Sequence, residues 1–167
     1  MKKILFLQLL LLSVLNLPAQ SEKSWKVDAA TGYQFLTSGG GGMFALNLGI
    51  QRQFNNWFSL GFTTGSYFPK SGKPMIPFLV DARGKYPIAN TELALLGIVR
   101  AGYYMDTNNL GADSFTTFGY ELLPGVQMQV NDKLSVRINT GFQSIHNTSE
   151  GTDFQMIPIL IGASFTL

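Results

Sequence analysis

The sequence has no cysteine, one histidine and little charge. Without cysteine there are no disulfides, no thiolate metal sites and no lipid-modified N-terminal cysteine. A secreted domain of this size must then find its stability elsewhere. One histidine without cysteine does not make a usual zinc site, so no metal and no cofactor is expected. Long apolar runs are also missing beyond the first twenty residues. The best is Leu93 to Val99, which Arg100 ends. If the chain crosses a bilayer it therefore crosses as strands, since only helices and closed barrels satisfy their backbone in lipid. A basic excess is missing too. The chain has 12 Lys+Arg against 10 Asp+Glu, and Lys2 and Lys3 belong to a leader. What remains is neutral and carries no nucleic-acid footprint.

The leader is legible. Lys2 and Lys3 precede the mostly apolar Ile4 to Leu17, and Leu17-Pro18-Ala19-Gln20 offers a small residue for cleavage. This is the pattern of a secretory signal peptide over 1–20, too short to span a bilayer comfortably. The mature domain is expected over 21–167.

After the leader, helical periodicity gives way to alternation, with turn residues between the alternating stretches. Eight strands are predicted: Trp25–Leu36, Met43–Phe54, Trp57–Phe68, Met75–Tyr86, Glu92–Met105, Phe115–Val130, Leu134–His146 and Phe154–Leu167. Their connections alternate in length. "TSGGGG", "PKSGKP", "DTNNLGADS" and "NTSEGTD" lie at one end, while "NN", "PIANT" and "NDK" lie at the other. Outer-membrane barrels show this asymmetry between external loops and periplasmic turns.

Each strand has an apolar and a polar face, and two architectures share that pattern. A soluble barrel buries the apolar face, which would put Phe78, Val80, Phe118 and Ile138 around an apolar ligand and Arg83 and Arg137 in water. A membrane barrel turns the apolar face to lipid. Three features favour the second. The polar faces are rich in Gly, Ser, Thr, Asn and Gln, which suits a crowded lumen. Their charges balance nearly: Lys26, Asp28, Asp81, Arg83, Lys85, Glu92, Arg100, Glu121 and Arg137 fit an enclosed ionic network. Aromatics gather at strand ends, with Trp25, Phe54, Phe58, Tyr86 and Phe165 near the short turns and Phe35, Phe44, Phe68 and Tyr103 near the loops, as two interfacial girdles would require. The expected fold is therefore all-β: an eight-stranded antiparallel up-and-down transmembrane barrel. Asp28, Asp81, Arg83, Lys85, Arg100, Glu121 and Arg137 form its lumen network, and Arg100 pairs with Glu121.

The signal ending "LPAQ", the strand "IPFLVDARGKYP" and the last strand "PILIGASFTL" resemble the small outer-membrane barrel proteins of Bacteroidota-type Gram-negative bacteria. Phe165 stands third from the end where such strands carry a late aromatic, and the final residue is Leu167. The resemblance implies insertion by the barrel-assembly machinery, contact with outer-membrane lipid and lipopolysaccharide, and a monomer acting in envelope structure or in adhesion and recognition through external loops.

A single enzymatic reading stands beside this one. His146 and Ser144 share an outward face near a loop that holds Ser149 and Glu150. A histidine, a hydroxyl and a carboxylate are the parts of a hydrolase. Lipid A deacylases, which are also eight-stranded barrels, place a serine two residues after the histidine. Here that position holds Thr148, and Ser149 is one place off. A histidine at the interface without catalytic role is the plainer account.

Overall fold

Alternation makes strands here because each chain segment lies between two unlike media, and a period of two sorts its side chains between them. The computed structural model describes residues 24–39, 41–70, 73–107, 117–147 and 152–167. The leader, Thr148, Ser149 and Glu150 lie outside them. The strands are β1 (Trp25–Leu36), β2 (Gly42–Gln53), β3 (Phe58–Pro69), β4 (Met75–Pro87), β5 (Leu93–Asp106), β6 (Thr117–Gln129), β7 (Leu134–Thr140), β8 (Phe142–Asn147) and β9 (Thr152–Thr166). β1 to β7 pair antiparallel in chain order, and β9 returns to pair with β1. β7 and β8 are one span. Both lie between β6 and β9, and one register runs through them. The break is Gly141, where a Cβ would stand 1.9 Å from the Leu122 carbonyl oxygen. The sheet closes there too tightly for a side chain. Eight spans thus form a closed antiparallel barrel, as the alternation predicts.

The pairing fixes the tilt. One row of partners runs from Lys26 through Gln51, Gly61, Asp81, Arg100, Glu121, Gln143 and Met156, and returns to β1 at Leu36. The row climbs β1 from residue 26 to residue 36 in one circuit. With eight strands this tilts them by about 40° from the barrel axis.

The short turns are locally encoded. Asn55 Oδ1 accepts from the Trp57 and Phe58 amides, both at 2.8 Å. Asn131 Oδ1 does the same for Lys133 and Leu134, both at 2.9 Å. Each side chain imitates a backbone turn and holds the next strand in place. The β4–β5 turn uses Asn90, which has φ 61°, a left-handed conformation asparagine tolerates.

The faces decide between the two architectures. Val80, Phe118 and Ile138 are exposed at 57%, 42% and 52%, whereas Arg83 and Arg137 are buried at 7% and 5%. A soluble barrel would require the opposite, so the soluble apolar-ligand alternative is wrong. The girdle aromatics meet one another and nearby cations. Trp57 packs edge-on against Tyr86 at 5.5 Å, Phe54 lies 6.0 Å from Phe58, and the Arg52 guanidinium stands 5.7 Å over Trp25. Lys133 lies 6.0 Å from the Phe165 ring.

The filling of the lumen differs from the sequence expectation. It is not polar throughout. Leu79, Ile98, Leu123, Ile145, Met156 and Leu160 point inward and pack with Met43, Tyr67 and Tyr104. A barrel of eight strands is just wide enough for side chains to fill it, and apolar ones fill it as well as polar ones.

Candidate functional site

The row of partners described above carries the charges. Asp81 on β4, Arg100 on β5 and Glu121 on β6 are successive partners in it. Register alone brings them side by side, facing inward. Asp28 and Arg137 belong to neighbouring rows, and Arg83 reaches between the rows.

The result is one continuous chain of alternating sign. Arg137 donates from Nη2 to Asp28 Oδ1 at 2.7 Å. Arg83 donates from Nη1 and Nη2 to the two oxygens of Asp28, at 2.9 and 3.0 Å. Its Nε and Nη2 also reach both oxygens of Asp81, each at 2.9 Å. Arg100 joins Asp81 through Nε at 2.9 Å and Glu121 through Nη1 at 3.1 Å. The order is Arg137, Asp28, Arg83, Asp81, Arg100, Glu121: three cations against three carboxylates. All six are buried, with Asp81 and Glu121 at 0%. Charges so far from water survive only when paired and hydrogen-bonded.

Neutral groups complete the chain. Ser164 donates to Asp28 at 2.6 Å and Thr63 to Asp81 at 2.9 Å. Tyr67, Tyr104 and Gln143 all donate to Glu121 Oε1, at 2.7, 3.2 and 3.1 Å. None of these five residues is in the network expected from the sequence. All five occupy inward positions, so alternation together with an acid's need for donors would have found them. Arg100 Nη2 is buried without a partner among the described residues.

Lys85 stands apart from this chain. It lies two residues beyond Arg83 toward the short turns, beside a cavity at that end of the barrel, and it is only partly buried. No carboxylate among the described residues lies within ion-pair distance of it. Glu92, expected on the lumen face, is exposed in the β4–β5 turn, because β5 begins at Leu93.

At the other end of the barrel His146 contacts Asp153 through Nδ1 and Oδ1, and both side chains are more than half exposed. The two residues are direct partners across β8 and β9. Asp153 escapes the sequence reading as a partner because only the strand register brings it opposite. Ser144 shares the outward face of His146 by alternation. No hydrogen bond joins them. Ser149 and Glu150 lie outside the described residues.

A model of the outer membrane protein β-barrel domain matches residues 4–165. The chain belongs to that family. It is an outer-membrane barrel, and its exposed apolar band faces lipid. No curated protein sequence matches it. Among solved structures it is similar to Neisserial surface protein A, with a TM-score of 0.60 and 14% identity over 87% of this chain and 97% of that one. It is also similar to the N-terminal β-barrel domain of Pseudomonas aeruginosa OprF, with a TM-score of 0.58 and 11% identity over 89% and 100%. A de novo designed transmembrane β-barrel gives 0.53 and 16% over 90% and 100%. Identities this low establish a shared fold and nothing finer.

Proposed function

We propose that this protein is a closed, non-conducting barrel that serves the envelope as a structural element and presents its longer loops for adhesion or recognition. The observation that carries the reading is the filled lumen. A six-residue ion chain and an apolar cluster both occupy it. An ion moving through would have to part buried salt bridges, which is strongly unfavourable. Contact with other molecules then falls to the loops. The chain acts as a monomer, is exported on the signal peptide over 1–20 and is inserted by the barrel-assembly machinery. Its envelope is that of a Bacteroidota-type Gram-negative bacterium, on the resemblance of its fourth and last strands. Planar-bilayer recording tests the closed lumen. The wild type should give no discrete conductance steps, and steady steps from the folded, heat-modifiable protein would overturn the reading.

The paired His146 and Asp153 favour a second reading, an outer-surface acyl hydrolase acting on lipid A. The carboxylate orients the imidazole, and Ser144 lies two residues away on the same face. Among the described residues no hydroxyl is hydrogen-bonded to the histidine. Mass spectrometry of lipid A from cells overproducing the wild type or His146→Ala decides it. An identical acylation pattern in both removes the hydrolase.

A further inference from the structure

The mouth at the short-turn end holds positive charge that the lumen leaves unbalanced. The three buried carboxylates are matched by three arginines. Lys26 and Lys85 also point inward, and neither meets a carboxylate among the described residues. They line a cavity of ≈ 40 Å³ together with Arg83, Gln51, Ser59 and Ser164, and no Asp or Glu lines it. A second observation is independent of the charge. Gln51 is 1% exposed, lines this same cavity, and neither its amide nitrogen nor its oxygen has a partner among the described residues. Its side chain lies over Gly61, where a Cβ would come within 2.7 Å of the Gln51 amide carbon. Gln51 faces inward by alternation, and a side chain at position 61 would crowd it. A buried amide without partners is rare and costly in a settled interior.

We infer that the mouth is a binding site for a phosphate-type oxyanion. Two ammonium groups, Lys26 on β1 and Lys85 on β4, supply charge. The Gln51 amide and the Ser59 hydroxyl supply neutral donors, the combination that oxyanions select. The carboxylates beneath are already held by arginines, so the ion chain under the mouth is neutral and the two lysines leave the mouth itself positive. By the short-turn rule this mouth opens to the periplasm. The anion comes either from solution or from a phospholipid headgroup at the inner rim.

The test uses the refolded full-length mature barrel in a maltoside detergent, titrated by calorimetry. One arm uses inorganic phosphate and the other dihexanoyl phosphatidylglycerol below its micelle-forming concentration. The wild type should bind one probe saturably, and added sodium chloride should weaken binding. Saturation by phosphate assigns a free anion, and saturation only by the lipid assigns a headgroup. The Lys26→Gln/Lys85→Gln double variant should bind at least about tenfold more weakly. Gln51→Leu should weaken binding by a few-fold. Each variant is first checked for the gel-mobility shift between unheated and boiled samples. If the double variant does not fold, the single lysine variants carry the same comparison. Absence of saturable binding by the wild type to both probes would overturn the site, and so would equal binding by the folded lysine variants.

Discussion

Two sets of cations face the inside of this barrel, and their circumstances differ. Arg83, Arg100 and Arg137 sit deep, each against one or two carboxylates. Lys26 and Lys85 sit toward the short turns, and neither has a carboxylate within ion-pair distance among the described residues. The residue types fit the places. A guanidinium is planar, weakly hydrated and forked, so it can serve two carboxylates at once in a dry interior, as Arg83 does with Asp28 and Asp81. An ammonium is strongly hydrated and keeps its charge most readily at an opening to water. The same formal charge is thus a structural element in one place and a free binding group in the other.

The largest effect should come from breaking the deep set. Arg100→Ala leaves Asp81 without one partner and Glu121 without its one cation among the described residues, both carboxylates fully buried. The expected loss is roughly 3–5 kcal/mol, because the stranded carboxylates lose their compensation while staying out of water. Urea unfolding of the detergent-refolded barrel, followed by tryptophan fluorescence, measures it. An unchanged midpoint would mean that the lumen is wet enough to solvate Glu121. Removing Glu121 as well, in Arg100→Met/Glu121→Gln, should recover part of the loss, and a double-mutant cycle would give the coupling.

On the opposite face of the same sheet the sign of tolerance reverses. Leu48 lies in the middle of β2, 61% exposed to the lipid band. Leu48→Arg should lower stability by roughly 2–4 kcal/mol, the usual cost of a cation at the bilayer midplane. Folding into lipid vesicles across a urea series reads this directly. A cost near zero would show that Leu48 lies at the interface rather than at mid-depth. In the apolar part of the lumen, Ile145→Val should cost only about 0.5–1.5 kcal/mol, since one methyl group leaves a small void.

Much of this was legible in the residues, for physical reasons that also mark the limit. Alternation sorts Leu46, Leu48 and Ile50 from Asn47 and Gln51 without knowledge of any partner strand, so spans, faces and the lumen charges follow from the chain alone. The placement of Arg100 beside Glu121 follows as well, because both stand at similar heights above the short turns of neighbouring strands. Contacts between distant strands do not follow. The meeting of Arg137 with Asp28 depends on closure of β9 against β1, and Arg83 reaches Asp28 only because the strands tilt. The His146–Asp153 pair requires the β8–β9 register across a loop whose length does not fix it. The apolar lumen cluster does not follow either, because alternation puts Leu79 on the face of Asp81 and Ile145 on the face of Gln143, but only the closed register packs them together.

The smallest effect on stability sharpens the opening comparison most. Lys85→Ala removes an inward cation two residues from Arg83 along the same strand. If position along the lumen decides what a charge does, the unfolding midpoint should shift by no more than about 0.5 kcal/mol, as for a solvated surface group. The shift should also be the same in low and high salt, since no carboxylate pairs with Lys85. A loss approaching that of Arg100→Ala would mean that the mouth lysines belong to the buried ion chain. A gain in stability, largest at low salt, would instead show that Lys26 and Lys85 repel one another across the mouth. That repulsion would then be what an anion relieves.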